Sequence, residues 1–557
     1  MKGLIWQENN LSVSRRMFQR AFATFQVKLA ANGDRNSRLS RRKMLGNASK
    51  AGPKSAKAPH KNSERKNQVF RYGSFSSLKE IEESQQQKTL GVLKKITDFE
   101  QLKILPTVRT ALQQVISEES IAIKSGTSTD LSSVKPSPIQ IAVTQKFSKT
   151  LMDKKLQVHT IAAETGSGKT IAYLTPLFDY LKRAEVEAPE SWDVIKDKAI
   201  VRSVVFVPTH ELVEQVYRTV ERSAKKLGLH AFRWNSETSY GDFIEAVKNR
   251  IDVLVTTPGK VLNMFNVRII NRPERLLSGV RFAVLDEADT LMDRSWLEET
   301  HTAIQAFPNV NHLVFCSATI PNEFSKTVDR LFPTFQSITT PKLHKISQKI
   351  DFKVIDASLN PYKGSRSKVL AQILYAIMKD GTEEGYEKRC IVFVNEKRDV
   401  KSVAEKLSAT YGHDCVSLTG EDTVEERLNK IDVFVKPPRR LEDLDAQNTS
   451  AHSDQDITQT LPNSNITITK PSSSAGPRRV ALKVLVTTDL MARGLNFQGV
   501  RNVILYDVPK TSVDLVHRAG RTGRMMGGGR VFMIIDKKTK SWARAVPKIV
   551  RNNKALS

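Results

Sequence analysis

Residues 158–170 read VHTIAAETGSGKT, and residues 282–289 read FAVLDEAD. The first stretch is an apolar run of strand length, a turn holding Gly166 and Gly168, then Lys169-Thr170 and a helical pattern. Glycines at such a turn let backbone N–H groups face the oxygens of a bound phosphate. A lysine at the next position supplies a cation to the β- and γ-phosphates, and Thr170 a hydroxyl for Mg²⁺. The candidate nucleotide contacts are Ala163, Glu164, Thr165, Gly166, Ser167, Gly168, Lys169 and Thr170. Ala163 stands where this loop usually opens with glycine, so a strict G-x-x-x-x-G-K-[ST] pattern misses it. The second stretch is another apolar strand, ending in carboxylates. Asp286 is placed to hold the Mg²⁺ shell beside Thr170, and Glu287 to accept a proton from an attacking water. Asp289 is expected to link to other motifs.

Outward from these two stretches, short apolar runs alternate with helix-like segments. Further strand candidates are Ser203–Val207, Val253–Thr256, His312–Cys316, Cys390–Val394, Val484–Thr487, Val503–Tyr506 and Val531–Ile535. Several are continuously apolar, as parallel strands covered on both faces by helices must be. Such sheets place their chemistry at the carboxyl ends of strands, which is where both quoted motifs fall. The strands divide near residue 345, giving an α/β fold of two tandem domains at 95–340 and 346–557. Polar, Pro-containing residues 436–479 read as a flexible insertion in the second domain, and 125–136 as a polar loop.

A chain of 557 residues with 39% hydrophobic and 26% charged residues suits two globular domains with tails. No apolar run approaches bilayer-spanning length, so no membrane insertion is expected. Cys316, Cys390 and Cys415 lack metal-ligand spacing and their odd number argues against a disulfide framework. The net charge of +28 favours a polyanionic partner. Residues 1–75 carry 17 Lys and Arg against Glu8, Asp34 and Glu64, which is half of that excess. Within them, Phe18, Phe22, Phe25 and Leu29 share one helical face while Arg16 and Arg20 lie opposite, and residues 11–31 hold no acid. These are presequence traits, followed by a basic, disordered arm, and they point to the mitochondrial matrix. The alternative is a nuclear or nucleolar protein, with Arg41-Arg42-Lys43 as its signal.

Together these residues resemble the DEAD-box ATP-dependent RNA helicases, from about Phe99 onward and outside the two polar segments. The resemblance implies two RecA-like domains, ATP and Mg²⁺ as cofactors, and RNA as partner, with no obligate oligomer. Residues 136–140 (PSPIQ) are similar to the family's adenine-reading motif, which assigns Gln140 to the base edge and makes Phe99 a candidate for stacking on it. Ser317-Ala318-Thr319 is similar to the motif that couples hydrolysis to unwinding. Pro208 and Thr209, and Thr257, Pro258, Gly259 and Lys260, resemble the RNA-backbone motifs of the first domain. In the second domain, residues 392–395 (VFVN), Thr419 and Gly420 resemble RNA-facing motifs, and Thr488 to Leu495, with Arg493 and Gly494, the motif touching both RNA and nucleotide. Residues 517–524 (HRAGRTGR) resemble the last motif. The resemblance implies that Arg521 and Arg524 reach the γ-phosphate, with His517 beside them. An arginine delivered by a second domain makes hydrolysis depend on closure.

Three residues depart from the family. His210 stands where arginine is usual, Val424 replaces the glutamine three residues before Arg427, and Asn496 replaces an aspartate. A neutral histidine weakens a phosphate contact. The expected activity is local opening of RNA by closure of the two domains; the alternative is an ATP-dependent RNA clamp or scaffold with little unwinding. A P-loop transporter ATPase is disfavoured by Gln140 and residues 517–524, and RNA-versus-DNA stimulation would separate an RNA from a DNA helicase. The arm and the departures together are similar to the fungal mitochondrial branch of the family. That branch implies ribosomal RNA or pre-ribosomal particles of the large mitochondrial subunit as partners.

Overall fold

The computed structural model describes residues 78–79, 90–91, 93, 95–123, 134–187, 189–270, 272–443, 458–460, 467–469, 482–489, 493–523, 528–539 and 542–556. The expected presequence and arm at 1–75 lie outside the described residues. Of a small compact unit formed by residues 1–73 and Thr327–Pro333, only the latter are described, as the end of the helix Asn322–Leu331 and the residues after it. Both sheets lie within the large unit, Ser74–Lys326 with Thr334–Ser557.

The first sheet contains β1 (Gln157–Ala162), β2 (Val201–Phe206), β3 (Ala231–Trp234), β4 (Ile251–Thr256), β5 (Phe282–Leu285), β6 (His312–Ser317) and β7 (Gln336–Thr339). They run in the order β3-β4-β2-β5-β6-β1-β7, all parallel. The second sheet contains β8 (Ile350–Asp356), β9 (Lys388–Phe393) and β10 (Asp414–Leu418). After a two-stranded hairpin of β11 (Thr458–Thr460) and β12 (Thr467–Thr469), it continues with β13 (Leu482–Thr487), β14 (Val500–Leu505) and β15 (Gly529–Ile535). Its order is β10-β13-β9-β14-β15-β8, again parallel throughout. The expected fold class, two tandem RecA-like α/β domains with helix-covered parallel sheets, is the one observed.

Every strand expected from the sequence is present, and four further strands complete the sheets: β3, β7, β8 and β10. Each is an edge strand. The central strands β2, β4 and β6 are buried at every position, whereas β8 and β10 are mixed. With neighbours on one side only, an edge strand has no need of a continuous apolar run.

The helices Pro138–Phe147, Lys169–Val186 and His210–Leu227 pack on the first sheet, and Ile161, Leu174, Phe178, Val205 and Val284 belong to one core cluster. Among the described residues no helix is long and apolar enough to cross a membrane.

The insertion expected at 436–479 leaves the fold later than Lys436. The guanidinium of Arg389, 1% exposed, donates to the carbonyls of Lys436 and Pro437, and the Glu387 amide donates to the Arg439 carbonyl. A buried arginine needs its donors satisfied, and these carbonyls satisfy them, so 436–440 belongs to the domain body.

Parallel strands put their carboxyl ends on one edge. Register pairs Ala162 with Ser317 and Phe206 with Leu285, so the loops after β1, β6, β5, β2 and β4 form one row along the first sheet.

Candidate functional site

The loop Ala163–Gly168 leaves β1 and enters the N-terminus of the helix Lys169–Val186. Gly166 (φ 75°) and Gly168 (φ 84°) occupy the left-handed region, where a side chain is strained. A Cβ on Gly168 would sit 2.8 Å from Nε2 of Gln140. The Lys169 ammonium lies inside the loop and donates to the carbonyls of Ala163 (3.1 Å) and Glu164 (3.2 Å). The Glu164 carboxylate accepts from the Thr340 hydroxyl at 2.7 Å. Gln140 is buried. Its Oε1 accepts from the Ser137 amide (2.8 Å), and its Nε2 donates to the Gly168 carbonyl (3.4 Å). It therefore ties the start of the helix Pro138–Phe147 to the phosphate loop. Phe99 is a correction. It is 1% exposed, in a cluster with Ile96, Leu102, Ile104, Val134 and Ile141, and offers no ring face to a base. Its apolar neighbours enclose it more favourably than a half-open cleft would.

At the end of β5, Asp286 is buried. Its carboxylate accepts from the Tyr173 hydroxyl (3.0 Å) and from the Glu287 amide (2.9 Å). Burial, then the charge of Glu287, push its pKa up to about 6, against the pull of Lys169. The Tyr173 hydroxyl also interacts with Thr170, so one phenol joins the two expected metal ligands. Glu287 has φ 49°, a left-handed backbone for a non-glycine residue, and its buried Oε2 has no partner. Such backbone costs on the order of 1–3 kcal/mol and persists where surrounding structure enforces it.

Asp289 is the junction of the cleft. Its Oδ2 is 2.9 Å from both the Thr319 hydroxyl and Nε2 of His517, and Thr319 and His517 are themselves 3.4 Å apart. Burial alone would raise the Asp289 pKa, but His517, Arg493 and Thr319 outweigh it and hold the carboxyl well below the usual range. Glu287, Asp289 and His517 bring ligand atoms within 4.8 Å of one another, a grouping different from the expected Thr170 and Asp286. Since Asp289 is already engaged by Thr319 and His517, the grouping reads as a polar link between the sheets.

Other contacts also cross the cleft. Arg493 donates to the Thr290 hydroxyl (3.1 Å) while paired with Asp514 (2.9 Å). The Asn496 amide donates to Oε1 of Gln215 at 2.8 Å, so this departure from the family still reaches the first sheet, through its backbone. Arg427 pairs with Glu211 at 2.5 Å, with side-chain exposures of 14% and 5%. Gly494 and Gly520 leave no room for side chains: a Cβ would meet Leu212 at 2.7 Å in the first case and press into the Thr165 hydroxyl in the second.

Arg521 is buried and donates to the carbonyls of His517 (3.0 Å) and Leu495 (2.8 Å). Burial lowers its pKa to about 10, partly countered by Glu287. Arg524 lies outside the described residues. Arg518, 1% exposed, forks onto both oxygens of Asp489 at 2.7 Å and donates to Asn395 (2.7 Å), so it braces the second sheet's strand-end loops. Sequence reasoning placed Asp489 within the motif at 488–495 without a role of its own, although it follows β13 as the other motifs follow their strands. Tyr173 carried no signal beyond an apolar helix face.

On the first sheet's row, a cavity of ≈ 320 Å³ brings together Pro208, Thr209, Thr257, Gly259 and Lys260, with His210, Trp296 and Arg427 among its other walls. Burial lowers the His210 pKa, with Lys260 and Arg427 adding to the shift and Glu211 opposing it. Thr419, Gly420 and Thr488 do not line this cavity; Thr419 turns its amide to Asp422 (2.8 Å). A second cavity, of ≈ 280 Å³, has the loop Glu164–Ser167 on one side and Gly520, Thr522 and the segment 342–350 on the other.

The DEAD/DEAH box helicase family model matches residues 137–327, and the helicase conserved C-terminal domain model matches 475–526. Curated proteins named ATP-dependent RNA helicase MRH4, mitochondrial, are similar along most of the chain. That of Vanderwaltozyma polyspora is 55% identical over 509 residues, 91% of this chain and 93% of its own length. That of Saccharomyces cerevisiae is 55% identical over 508 residues, 90% of each chain. Among solved structures, S. cerevisiae Dbp5 bound to RNA and ADP BeF3 has TM-score 0.55 at 20% identity, covering 82% of this chain and 94% of its own. Mss116p bound to ssRNA and AMP-PNP has TM-score 0.58 at 17% identity, covering 83% and 79%. At those identities the likeness is one of fold.

Proposed function

The chain belongs to the DEAD-box ATP-dependent RNA helicases, and from that membership we propose that it opens short stretches of RNA duplex by closing its two sheets over ATP and RNA together. The observation that carries this reading is the junction at Asp289. Thr319 from the loop after β6 and His517 from the helix Ser512–Ala519 of the second domain meet on one carboxylate, beside Glu287 and the phosphate loop. A site assembled from both sheets is complete only when they meet, which is how hydrolysis becomes conditional on a bound strand.

In this reading the loop Ala163–Thr170 cradles the phosphates, and Lys169 exchanges its loop carbonyls for phosphate oxygens. Glu287, with an unpartnered Oε2, orients the attacking water and accepts its proton. Gln140, whose amide faces Gly168, reports adenine to the loop. Arg521 and Arg524 meet the charge that develops on the transferred phosphoryl group. Thr170 and Asp286 are the residues that would hold Mg²⁺. They fit it, because a buried carboxylate whose pKa is raised by burial and by a second carboxylate gains from a cation. When bound, the ion supplies charge neutralisation at the phosphate oxygens. Pro208, Thr209, Thr257, Pro258, Gly259, Lys260, Thr419, Gly420, Thr488, Arg493 and Gly494 contact or couple to the RNA backbone, so binding is sequence-independent and salt-sensitive.

The full chain should show ATPase stimulated by RNA above DNA, and displacement of a short duplex. Stimulated turnover that survives Glu287→Gln would sink the mechanism. His210, kept neutral by burial in the cavity, favours a second reading as an RNA clamp; RNA-stimulated ATPase without duplex displacement would select it. We further infer a mitochondrial matrix location from the arm at 1–75 and the relatives' names, with domains at 95–340 and 346–557. Particles of the large mitochondrial ribosomal subunit are the proposed target. Crosslinking to RNA in cells tests both, and enrichment of cytosolic or nuclear RNA overturns them.

A further inference from the structure

Thr319 lies two residues beyond the end of β6, in the coupling motif, and what holds the next residue determines how that strand end moves. The Ile320 amide donates to Nε2 of His344 at 2.9 Å, and its carbonyl accepts from the Lys79 amide at 2.8 Å. Leu78 and Pro321 form a β-bridge beside it. His344 belongs to the segment between the last strand of the first sheet, β7, and the first of the second, β8. It is 1% exposed and adopts φ 63°, a left-handed backbone that is uncommon outside glycine but which histidine adopts more readily than most residues. Its own carbonyl accepts from the amide of Leu556, which is 1% exposed, at 3.0 Å.

Three distant parts of the chain therefore converge one residue beyond Thr319: the segment at 78–79, the connection between the sheets, and the C-terminal end. An imidazole that accepts through Nε2 is neutral with its proton on Nδ1, and the same ring also hydrogen-bonds the main chain of Lys79, so it ties the segment at 78–79 as well. Nothing in packing alone demands a polar ring at that place. The bonds to Ile320 and to the Lys79 main chain are what the ring supplies.

We propose that His344 is a positioning residue, joining the strand end that carries Thr319 to the connection between the two sheets, and through Leu556 to the C-terminus. When the sheets meet, the connection transmits that movement to Thr319, and thereby to the Asp289–His517 contact. When RNA is absent, the tie is idle. This rests on the reading of the site as an RNA-stimulated ATPase.

The test uses the full chain and three variants: His344→Ala, His344→Gln, which keeps an acceptor near the Nε2 position, and removal of residues 555–557, which takes away the Leu556 donor. ATPase is measured with and without single-stranded RNA, together with duplexes displaced per ATP. The expected result is a loss of about tenfold in RNA stimulation for His344→Ala, with RNA-free turnover and the KM for ATP within twofold of the unaltered chain. His344→Gln should recover to within about threefold, and the truncation should fall between them. Equal losses with and without RNA, or His344→Gln behaving like His344→Ala, would show a merely structural ring and overturn the proposal. Full stimulation in His344→Ala would overturn it alone. Absence of RNA stimulation in the unaltered chain would overturn the functional reading and this inference with it. If His344→Ala fails to fold, the truncation decides: full coupling without Leu556 overturns the proposal.

Discussion

Arg427→Ala removes the cation from an ion pair that exists only while the two sheets are together. Arg427 sits at the start of the helix Val424–Val435 and donates to Glu211 at 2.5 Å, and to its own domain's Asp422 carbonyl at 2.9 Å. With Glu211 only 5% exposed, the substitution leaves a carboxylate buried without its partner in the closed state and solvated in the open one. Truncating one member of a buried, hydrogen-bonded pair costs about 2–5 kcal/mol. The lower end applies, since Arg427 keeps 14% exposure and Glu211 lies in the first turn of the helix His210–Leu227, whose dipole retains part of its stabilisation. About 2–3 kcal/mol corresponds to roughly 30–150-fold in affinity. The expected outcome is that single-stranded RNA binds that much more weakly in the presence of a non-hydrolysable ATP analogue, by fluorescence anisotropy, and within about threefold of normal without nucleotide. A second variant, Glu211→Gln with Arg427→Gln, should lose less than the sum of the two single changes, because neither group is then left charged and alone. Additive losses, or equal weakening with and without nucleotide, would refute the view that this pair belongs to closure.

Gly520→Ala should reduce RNA-stimulated ATPase at least tenfold without shifting the thermal midpoint, because the new Cβ would press into the Thr165 side chain across the cleft; Thr165→Gly in the same chain should restore part of it. Tyr173→Phe removes a 3.0 Å donor from Asp286, and a bond to a charged group contributes about 1.5–3 kcal/mol, so the Mg²⁺ concentration for half-maximal ATPase should change by about tenfold or more while the fold is retained. His312 accounts for one arm of the acid sensitivity. Burial lowers its pKa from 6.5 to about 4, so the folded chain keeps it neutral while the unfolded chain protonates it. Stability is therefore full above pH 6.5 and falls as pH drops toward 4; at pH 5 the loss from this ring is about 2 kcal/mol. Urea unfolding at pH 7.5 and pH 5 should show it, and His312→Gln should flatten the difference.

How far the fold was legible depended on where each strand lies in its sheet. A central parallel strand is covered on both faces, so its residues are mostly apolar, with any charges paired in place as Arg202 is with Asp252, and runs such as Phe282–Leu285 announce themselves. The strands β3, β7, β8 and β10 were not legible because each is an edge. β8, for example, reads IDFKVID and exposes Asp351 and Lys353, a pattern shared with many surface segments. The insertion was misplaced for a related reason. Lys436 to Arg439 look like linker by composition, yet the buried Arg389 guanidinium holds the carbonyls of Lys436 and Pro437 and the Glu387 amide that of Arg439, which makes them part of the body. Hydrogen bonds to main-chain carbonyls leave no mark on the side chains of the residues that accept them.

The same distinction divides the site. Residues that act through their own local backbone, such as Gly166, Gly168 and Lys169, could be read from a short window, because the loop geometry and its chemistry are encoded together. Asp286 and Glu287 could be read because a strand must end before a carboxylate can face the loop. What sequence could not provide is the pairing across the cleft. Glu211 with Arg427, Gln215 with Asn496, and Asp289 with His517 are joined over separations above 200 residues. Each partner taken alone is compatible with a solvated surface group. Asn496 illustrates the consequence. Read as a missing aspartate it suggests a weakened contact between domains, yet one contact it makes, from its backbone amide to Gln215, does not depend on that side chain. A departure from a family pattern therefore has consequences only in proportion to the share of the contact that the side chain carries. By that measure the change at His210 is carried by the ring itself, which lines the cavity beside Lys260 and Arg427.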